Sequence, residues 1–229
     1  MSVELELVHG VWVPQREAYR FATYGEYEGL LDIDVKKSVL SVPHCLSHDL
    51  ALDVGAHVGA VSIQLAKHFA SVVAFEPIDE PFAALTKNIE PFPHVIAHKI
   101  ALSDKPGELR FEYVPTHTQL SHVVEVGEDK HFGEKSVIVG PFEARTIDSF
   151  AFEKVSFIKI DVEGTELDVI RGGMETIRRC RPTILVEQHG NEEKFHNRLP
   201  NEASLALEGL GMVRVEGLPF WKDFLYRFP

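Results

Sequence analysis

From Leu50 onward, short apolar runs alternate with stretches of helical spacing. Leu50-Ala51-Leu52-Asp53-Val54 is an apolar run ending in an acid and a glycine, as expected of a strand buried on both faces of a parallel sheet. Val58 to Phe69 has helical spacing, with Val58, Ile63, Leu65 and Phe69 among its apolar positions. Ser71 to Phe75 reads as a second strand, closed by Glu76-Pro77, and Pro81 to Ile89 places Phe82, Leu85 and Ile89 on one helical face. Val95 to Leu102 reads as a third strand. Between Asp104 and Asp148 the character changes. Pro106-Gly107 marks a turn, Glu108 to Val114 alternates, a polar stretch runs from Pro115 to Lys135, and Ser136 to Phe142 is strand-like again. This segment is expected to be a β-hairpin or β-meander inserted between crossover units.

The rhythm then resumes. Val155 to Ile160 predicts a strand, and Glu166 to Arg179 a helix running through Gly172-Gly173, with Arg178-Arg179 at its negative end. Pro182 to Val186 predicts a further strand and Ser204 to Leu210 a short helix. Gly211 to Val215 and Phe224 to Phe228 suit a closing antiparallel pair. Strands alternating with helices at this spacing mean an α/β fold: a mostly parallel sheet with helices on both faces. One domain over residues 1–229 is expected, with 1–48 as a partly helical flank or lid, a Rossmann-like core over 50–229, and the β insertion at about 104–148.

Composition narrows the function. The chain has 229 residues, 45% hydrophobic and 25% charged, which suits a folded core and excludes wholesale disorder. Lys plus Arg number 23 against 35 Asp plus Glu, a net charge of −12. The only clustered cations, Arg178, Arg179 and Arg181, sit at a predicted helix end, so nucleic acid is a disfavoured partner. Cys45 and Cys180 lie far apart, which suits a reducing cytosol rather than a disulfide framework. No signal-peptide pattern or membrane-length apolar run is present, so a cytoplasmic location without membrane insertion is expected.

The chemistry gathers at strand ends. In Asp53-Val54-Gly55-Ala56-His57-Val58-Gly59, Gly55 allows a sharp turn, Ala56 leaves room for a ligand, and Gly59 lets the helix pack closely on its strand. Glu76 follows about 20 residues later, where an acid is placed to bond the hydroxyls of a ribose. A dinucleotide site wants G-x-G-x-x-G, so that amides can meet a pyrophosphate. Here Asp53 precedes a wider Gly55-x-x-x-Gly59 spacing, and a carboxylate there favours a sulfonium or ammonium group. S-adenosylmethionine fits better than NAD. The plainer alternative makes these glycines ordinary turn and packing residues, with Asp53 and Glu76 as helix caps.

A second acidic group ends later strands. Asp161 closes Phe157-Ile158-Lys159-Ile160, and Glu187-Gln188-His189 ends the next strand. Asp161 is expected to face the same crevice as Asp53 and Glu76. It could orient the cofactor's methionine end, hold a divalent metal with Glu187, or take a proton. His189 is the foremost candidate base, since an unperturbed imidazole titrates near neutrality; its plain alternative is a surface loop histidine. His94 and His98 lie four apart in a strand, which brings no two imidazoles onto one metal. His117, His122 and His131 are expected to be solvated in the polar loop.

Four ordered segments carry a family resemblance: Leu52-Asp53-Val54-Gly55-Ala56-His57-Val58-Gly59; Phe75-Glu76-Pro77 leading to Leu85-Thr86-Lys87-Asn88; Ala101-Leu102-Ser103-Asp104; and Ile158-Lys159-Ile160-Asp161-Val162-Glu163-Gly164-Thr165-Glu166. The chain resembles FkbM-type S-adenosylmethionine-dependent methyltransferases over about Leu50 to Gly190. The resemblance implies a Rossmann-like class I methyltransferase sheet and methyl transfer to a hydroxyl of a sugar, glycolipid or polyketide-like small molecule. It also implies that the Asp53–Gly59 loop cradles the methionine end, that Glu76, beside Pro77, binds the ribose, and that the region of Leu102 and Ser103 meets the adenine. The family more often has Asn where this chain has His57. Three rival readings are an NAD-linked oxidoreductase, which the missing middle glycine argues against, a protein that binds a nucleoside without chemistry, and methylation of nucleic acid or protein, which the acidity and the lack of an N-P-P-Y-like segment argue against.

Overall fold

A computed structural model describes residues 3–24, 30–124, 136–188, 190–196, 198–218 and 222–229. The N-terminal flank forms a hairpin, β1 (Leu5–Val8) and β2 (Val11–Pro14), followed by α1 (Ala18–Tyr24) and α2 (Leu30–Ser41). The periodic region then gives β3 (Leu50–Val54), α3 (Ala60–Leu65), β4 (Ser71–Phe75), α4 (Asp79–Ile89) and β5 (Val95–His98). The insertion contains β6 (Ala101–Leu102), β7 (Gly107–Tyr113), β8 (His122–Val124) and β9 (Val137–Arg145). The remainder comprises β10 (Val155–Ile160), α5 (Glu166–Arg171), α6 (Met174–Cys180), β11 (Thr183–Glu187), α7 (Asn191–His196), α8 (Glu202–Gly209), β12 (Val213–Arg214) and β13 (Asp223–Arg227).

The main sheet has the order β12-β13-β11-β10-β3-β4-β5. Its members from β11 to β5 pair in parallel, and β13 runs antiparallel to both β11 and β12. Alternation sorts each strand's side chains onto two buried faces. Leu52, Ile158, Ile160 and Val186 pack with Val169, Ile170 and Leu207 on one face. Ala51, Phe157 and Leu185 pack with Val61, Leu65 and Leu85 on the other. This is the expected Rossmann-like layering, with the strand ends that carry Val54, Phe75, Ile160 and Glu187 on one edge.

Two apolar runs differ from their sequence reading. Val95 to Leu102 is not one strand: the chain leaves the main sheet after His98, and Ala101-Leu102 pairs with Ala144-Arg145 in a second sheet, ordered β6-β9-β7-β8. Leu102 still packs in the main core, while Ala101 joins Phe111 and Tyr113 of the insertion, so the run straddles a seam. The stretch from Glu166 to Arg179 is two helices, broken at Gly172-Gly173. A Cβ at Gly172 would overlap the carbonyl oxygen of Ser103, so this break lets the chain pass against the entry to the insertion.

One side chain joins the hairpin of the flank to two parts of the core. Asn88 of α4 donates to the carbonyls of Trp12 and Val58, each at 2.8 Å, and accepts the Trp12 amide at 2.7 Å. Hairpin, helix and the turn before α3 thus share one buried amide. Among the described residues, no helix is long and apolar enough to cross a membrane.

Candidate active site

A cavity of about 680 Å³ opens at the strand-end edge of the main sheet. Gly55, Ala56, His57, Glu76, Pro77, Leu102, Asp161 and Glu187 all line it, so most of the residues singled out in the sequence converge. Their convergence follows from the parallel register, which sets Val54 beside Phe75 and Ile160, and Ile160 beside Val186. The insertion supplies an apolar wall, including Leu109, Phe111 and Val123.

The glycine loop is held by close approach. Gly55 has φ +76, and a Cβ there would collide with the carbonyl of Asp161, so only glycine lets the two loops meet. Gly59 has φ +85 and lies against Leu85 of α4. The close packing it permits is therefore helix against helix, rather than the helix against strand expected from its position. Glu76 is 6% exposed, and its carboxylate accepts the His57 amide at 3.0 Å and the Ile78 amide at 2.9 Å. Burial pushes its pKa up to about 7, against the lowering effect of those amides.

Asp53, Gly59 and Ser103 stand away from the cavity wall. Asp53 is fully buried; its Oδ2 accepts from Ser62 Oγ at 2.6 Å, and Oδ1 lies 3.9 Å from Lys159 Nζ. Burial raises its pKa, and the Lys159 ammonium opposes that rise. The acid expected to meet a cofactor cation is thus already engaged with a lysine of the neighbouring strand. Ser103 presents its carbonyl to Gly172 and its amide to Arg145. His189 lies outside the described residues, as does His131.

Lys159 was not singled out in the sequence, although a lone lysine inside Phe157-Ile158-Lys159-Ile160 was a signal. An ammonium on a buried strand needs partners. It donates to the Gly55 carbonyl at 3.0 Å and pairs with Asp161 Oδ2 at 3.0 Å. Glu163 was also missed as a site residue. It has φ +57, and its carboxylate, with those of Asp161 and Glu187, forms a cluster whose oxygens lie within 4.8 Å of one another. Burial raises the Glu187 pKa well above the carboxylate range, reinforced by the charge of Asp161 and a hydrogen bond with it. A proton shared by this pair satisfies both groups; once it leaves, the three carboxylates could hold a hard divalent ion. Glu166 shapes the turn by accepting the amides of Val162 and Gly164 at 3.2 and 2.9 Å.

The other histidines also take definite places. His94 bonds the Ala66 carbonyl at 2.8 Å, and His98 stacks on Phe75. His117 and His122 are not solvated as expected. His117 is half-buried, 2.6 Å from Arg20 Nη2, and His122 is 4% exposed, stacked 3.7 Å from Phe195. The polar composition of the loop conceals that its described part packs against the flank through His117 and against α7 through His122.

Residues 53–214 match a family described as the methyltransferase FkbM domain. The chain is similar to the hexuronic acid methyltransferase AglP of Haloferax volcanii, 29% identical over 170 residues that cover 73% of this chain and 68% of AglP. It is also similar to the 2-O-methyltransferase NoeI of Sinorhizobium fredii, 25% identical over 225 residues covering 90% of each. A solved methyltransferase FkbM from Methylobacillus flagellatus KT superposes with a TM-score of 0.53 at 17% identity. That match covers 79% of this chain but 43% of the other, so the chain spans less than half of that protein, and the likeness is one of fold.

Proposed function

The chain belongs to the methyltransferase FkbM domain family, and from that premise we propose that it moves a methyl group from S-adenosylmethionine to a hydroxyl oxygen of a small molecule. Among a sugar, a glycolipid and a polyketide-like acceptor, the names of the two relatives favour a sugar hydroxyl. The family supports neither an NAD-linked oxidoreductase nor a binder without chemistry.

The observation that carries the reading is one cavity bordered on one side by the glycine loop and Glu76, and on another by the Asp161 and Glu187 carboxylates. When bound, S-adenosylmethionine supplies an electrophilic methyl group. In this reading Glu76 turns from the loop amides to the ribose hydroxyls, Gly55 to His57 receive the amino-acid end, and Leu102 with Pro77 flanks the adenine. Asp161, paired with Lys159, faces the cationic end of the cofactor. Once the proton it shares with Asp161 has left, Glu187 accepts the acceptor's hydroxyl proton, because burial and Asp161 raise its proton affinity towards that of a useful base. His189, beside it in sequence, is the second candidate for that role. The apolar wall of the insertion keeps water from the reacting groups.

The test is calorimetry with S-adenosylhomocysteine, followed by transfer of labelled methyl to glycosides of uronic acids, neutral sugars and polyketide alcohols. Heat on mixing and label on a sugar oxygen are expected. Absence of heat and of any rise in melting temperature would overturn the reading.

A further inference from the structure

A second buried acid, far from the strand ends, reaches the cavity through two other side chains. Glu17 lies in the turn between β2 and α1 and is 2% exposed; Thr118 lies in the turn before β8 and is 4% exposed. Both Glu17 oxygens are taken by Thr118: Oε1 accepts its backbone amide and Oε2 accepts its hydroxyl hydrogen. A hydroxyl that has given its hydrogen to a carboxylate can only accept from a second partner, and that partner is His57 Nε2. While Glu17 is ionised, Nε2 therefore carries the ring hydrogen; burial raises the Glu17 pKa, and the two Thr118 bonds and the Arg20 charge oppose that rise.

The imidazole is also kept neutral. Burial, with the Lys159 charge, pushes the His57 pKa down to about 3. With Nε2 protonated and the ring uncharged, Nδ1 is a bare lone pair. It has no hydrogen-bond partner among the described residues and is not among the buried unpartnered atoms, and His57 is one of the residues that line the cavity. Phe21 of α1 stacks beside the ring at 6.2 Å and fixes its plane. An acceptor-only nitrogen pairs with a hydrogen-bond donor. Within the proposed cofactor, the α-ammonium is that donor, since the ribose hydroxyls fall to Glu76 and a carboxylate would be repelled.

We infer that Glu17 and Thr118 are positioning residues that fix the tautomer of His57, so that Nδ1 accepts a hydrogen bond from the ammonium at the cofactor's amino-acid end. The inference rests on the reading of the chain as a user of S-adenosylmethionine. It places the N-terminal flank, which lies outside the family match, within the cofactor site.

Two measurements on the full chain test it. Long-range proton–nitrogen correlation on protein labelled with ¹⁵N-histidine is expected to show His57 protonated at Nε2 and bare at Nδ1. In Glu17→Gln, the new amide donates to the Thr118 oxygen, the hydroxyl turns to donate to Nε2, and the ring hydrogen moves to Nδ1. Calorimetry is then run with S-adenosylhomocysteine and with 5′-methylthioadenosine, which lacks the amino-acid end. Glu17→Gln is expected to weaken the first at least roughly tenfold and to leave the second unchanged. Thr118→Ser keeps the hydroxyl and is expected to bind as the parent does, whereas Thr118→Val behaves like Glu17→Gln and serves where that variant folds poorly. A wild-type ring protonated at Nδ1, an unchanged tautomer in Glu17→Gln, or equal losses for both ligands would overturn the inference. If S-adenosylhomocysteine gives no heat with the wild type, the functional reading falls, while the tautomer measurement still decides whether the relay exists.

Discussion

Lys159 and Asp53 stand opposite each other on adjacent parallel strands, with Nζ 3.9 Å from Oδ1 and both side chains closed off from solvent. The same ammonium reaches the Gly55 carbonyl and Asp161, so one buried cation organises the first and second acidic segments together. Removing one partner of a buried pair leaves an uncompensated charge.

Lys159→Met is therefore expected to destabilise the fold by about 3–5 kcal/mol, a fall in melting temperature on the order of 10 °C for a chain of this size. The loss should grow with pH. Without its cation, Asp53 has a folded pKa further above its unfolded value, so its contribution is kept at low pH and lost as pH rises. Thermal melts of both proteins between pH 5 and 8 check this; a deficit that shrinks with rising pH would contradict it.

Glu76 makes cofactor affinity depend on pH. Its pKa of about 7 in the free protein means that hydroxyl donors bind best to the ionised form, so affinity for S-adenosylhomocysteine should rise from pH 6 to 8. Glu76→Gln should flatten the dependence, and Glu76→Ala should weaken binding by roughly tenfold or more, the worth of a charge-assisted hydrogen bond. Calorimetry across that range reads all three.

For Glu187 the raised folded pKa fixes another sign. The folded state holds a proton that the unfolded chain releases above about pH 4.5, so the contribution is complete below that value and declines as pH rises through the folded pKa. Glu187→Gln should remove this decline, making the variant at least as heat-stable as the parent at pH 9 while abolishing methyl transfer. Loss of stability across the whole range would assign Glu187 a purely structural part.

The glycine break offers a test of packing alone. Gly172→Ala drives a methyl group into the Ser103 carbonyl and should cost about 1–3 kcal/mol. Gly209→Ala, at the end of α8 with open space around it, should be neutral or stabilise by about 0.5 kcal/mol. Denaturant melts of the two variants should move in opposite directions.

The strand-end chemistry was legible because a parallel sheet turns sequence order into spatial order. Each apolar run delivers its last polar residue to the same edge, and so the placement of Glu76, Asp161 and Glu187 follows from the sequence. That of Glu17 and Thr118 does not, because 101 positions separate them and neither lies in a periodic element. The split of Val95 to Leu102 was hidden for a related reason: an apolar run records burial but not which of two sheets receives it. Asp53 is legible in the sequence but its surroundings are not, since the lysine facing it belongs to another strand.

Asn88 gives the flank a bearing on any shortened form of the protein. Trimming to the family-matched stretch would delete Trp12, stripping this interior amide of two of its three bonds, and would delete Glu17 with it. The recognisable domain is therefore smaller than the cooperative unit, and libraries or fusions that cut at residue 53 would sample a damaged protein rather than a minimal one.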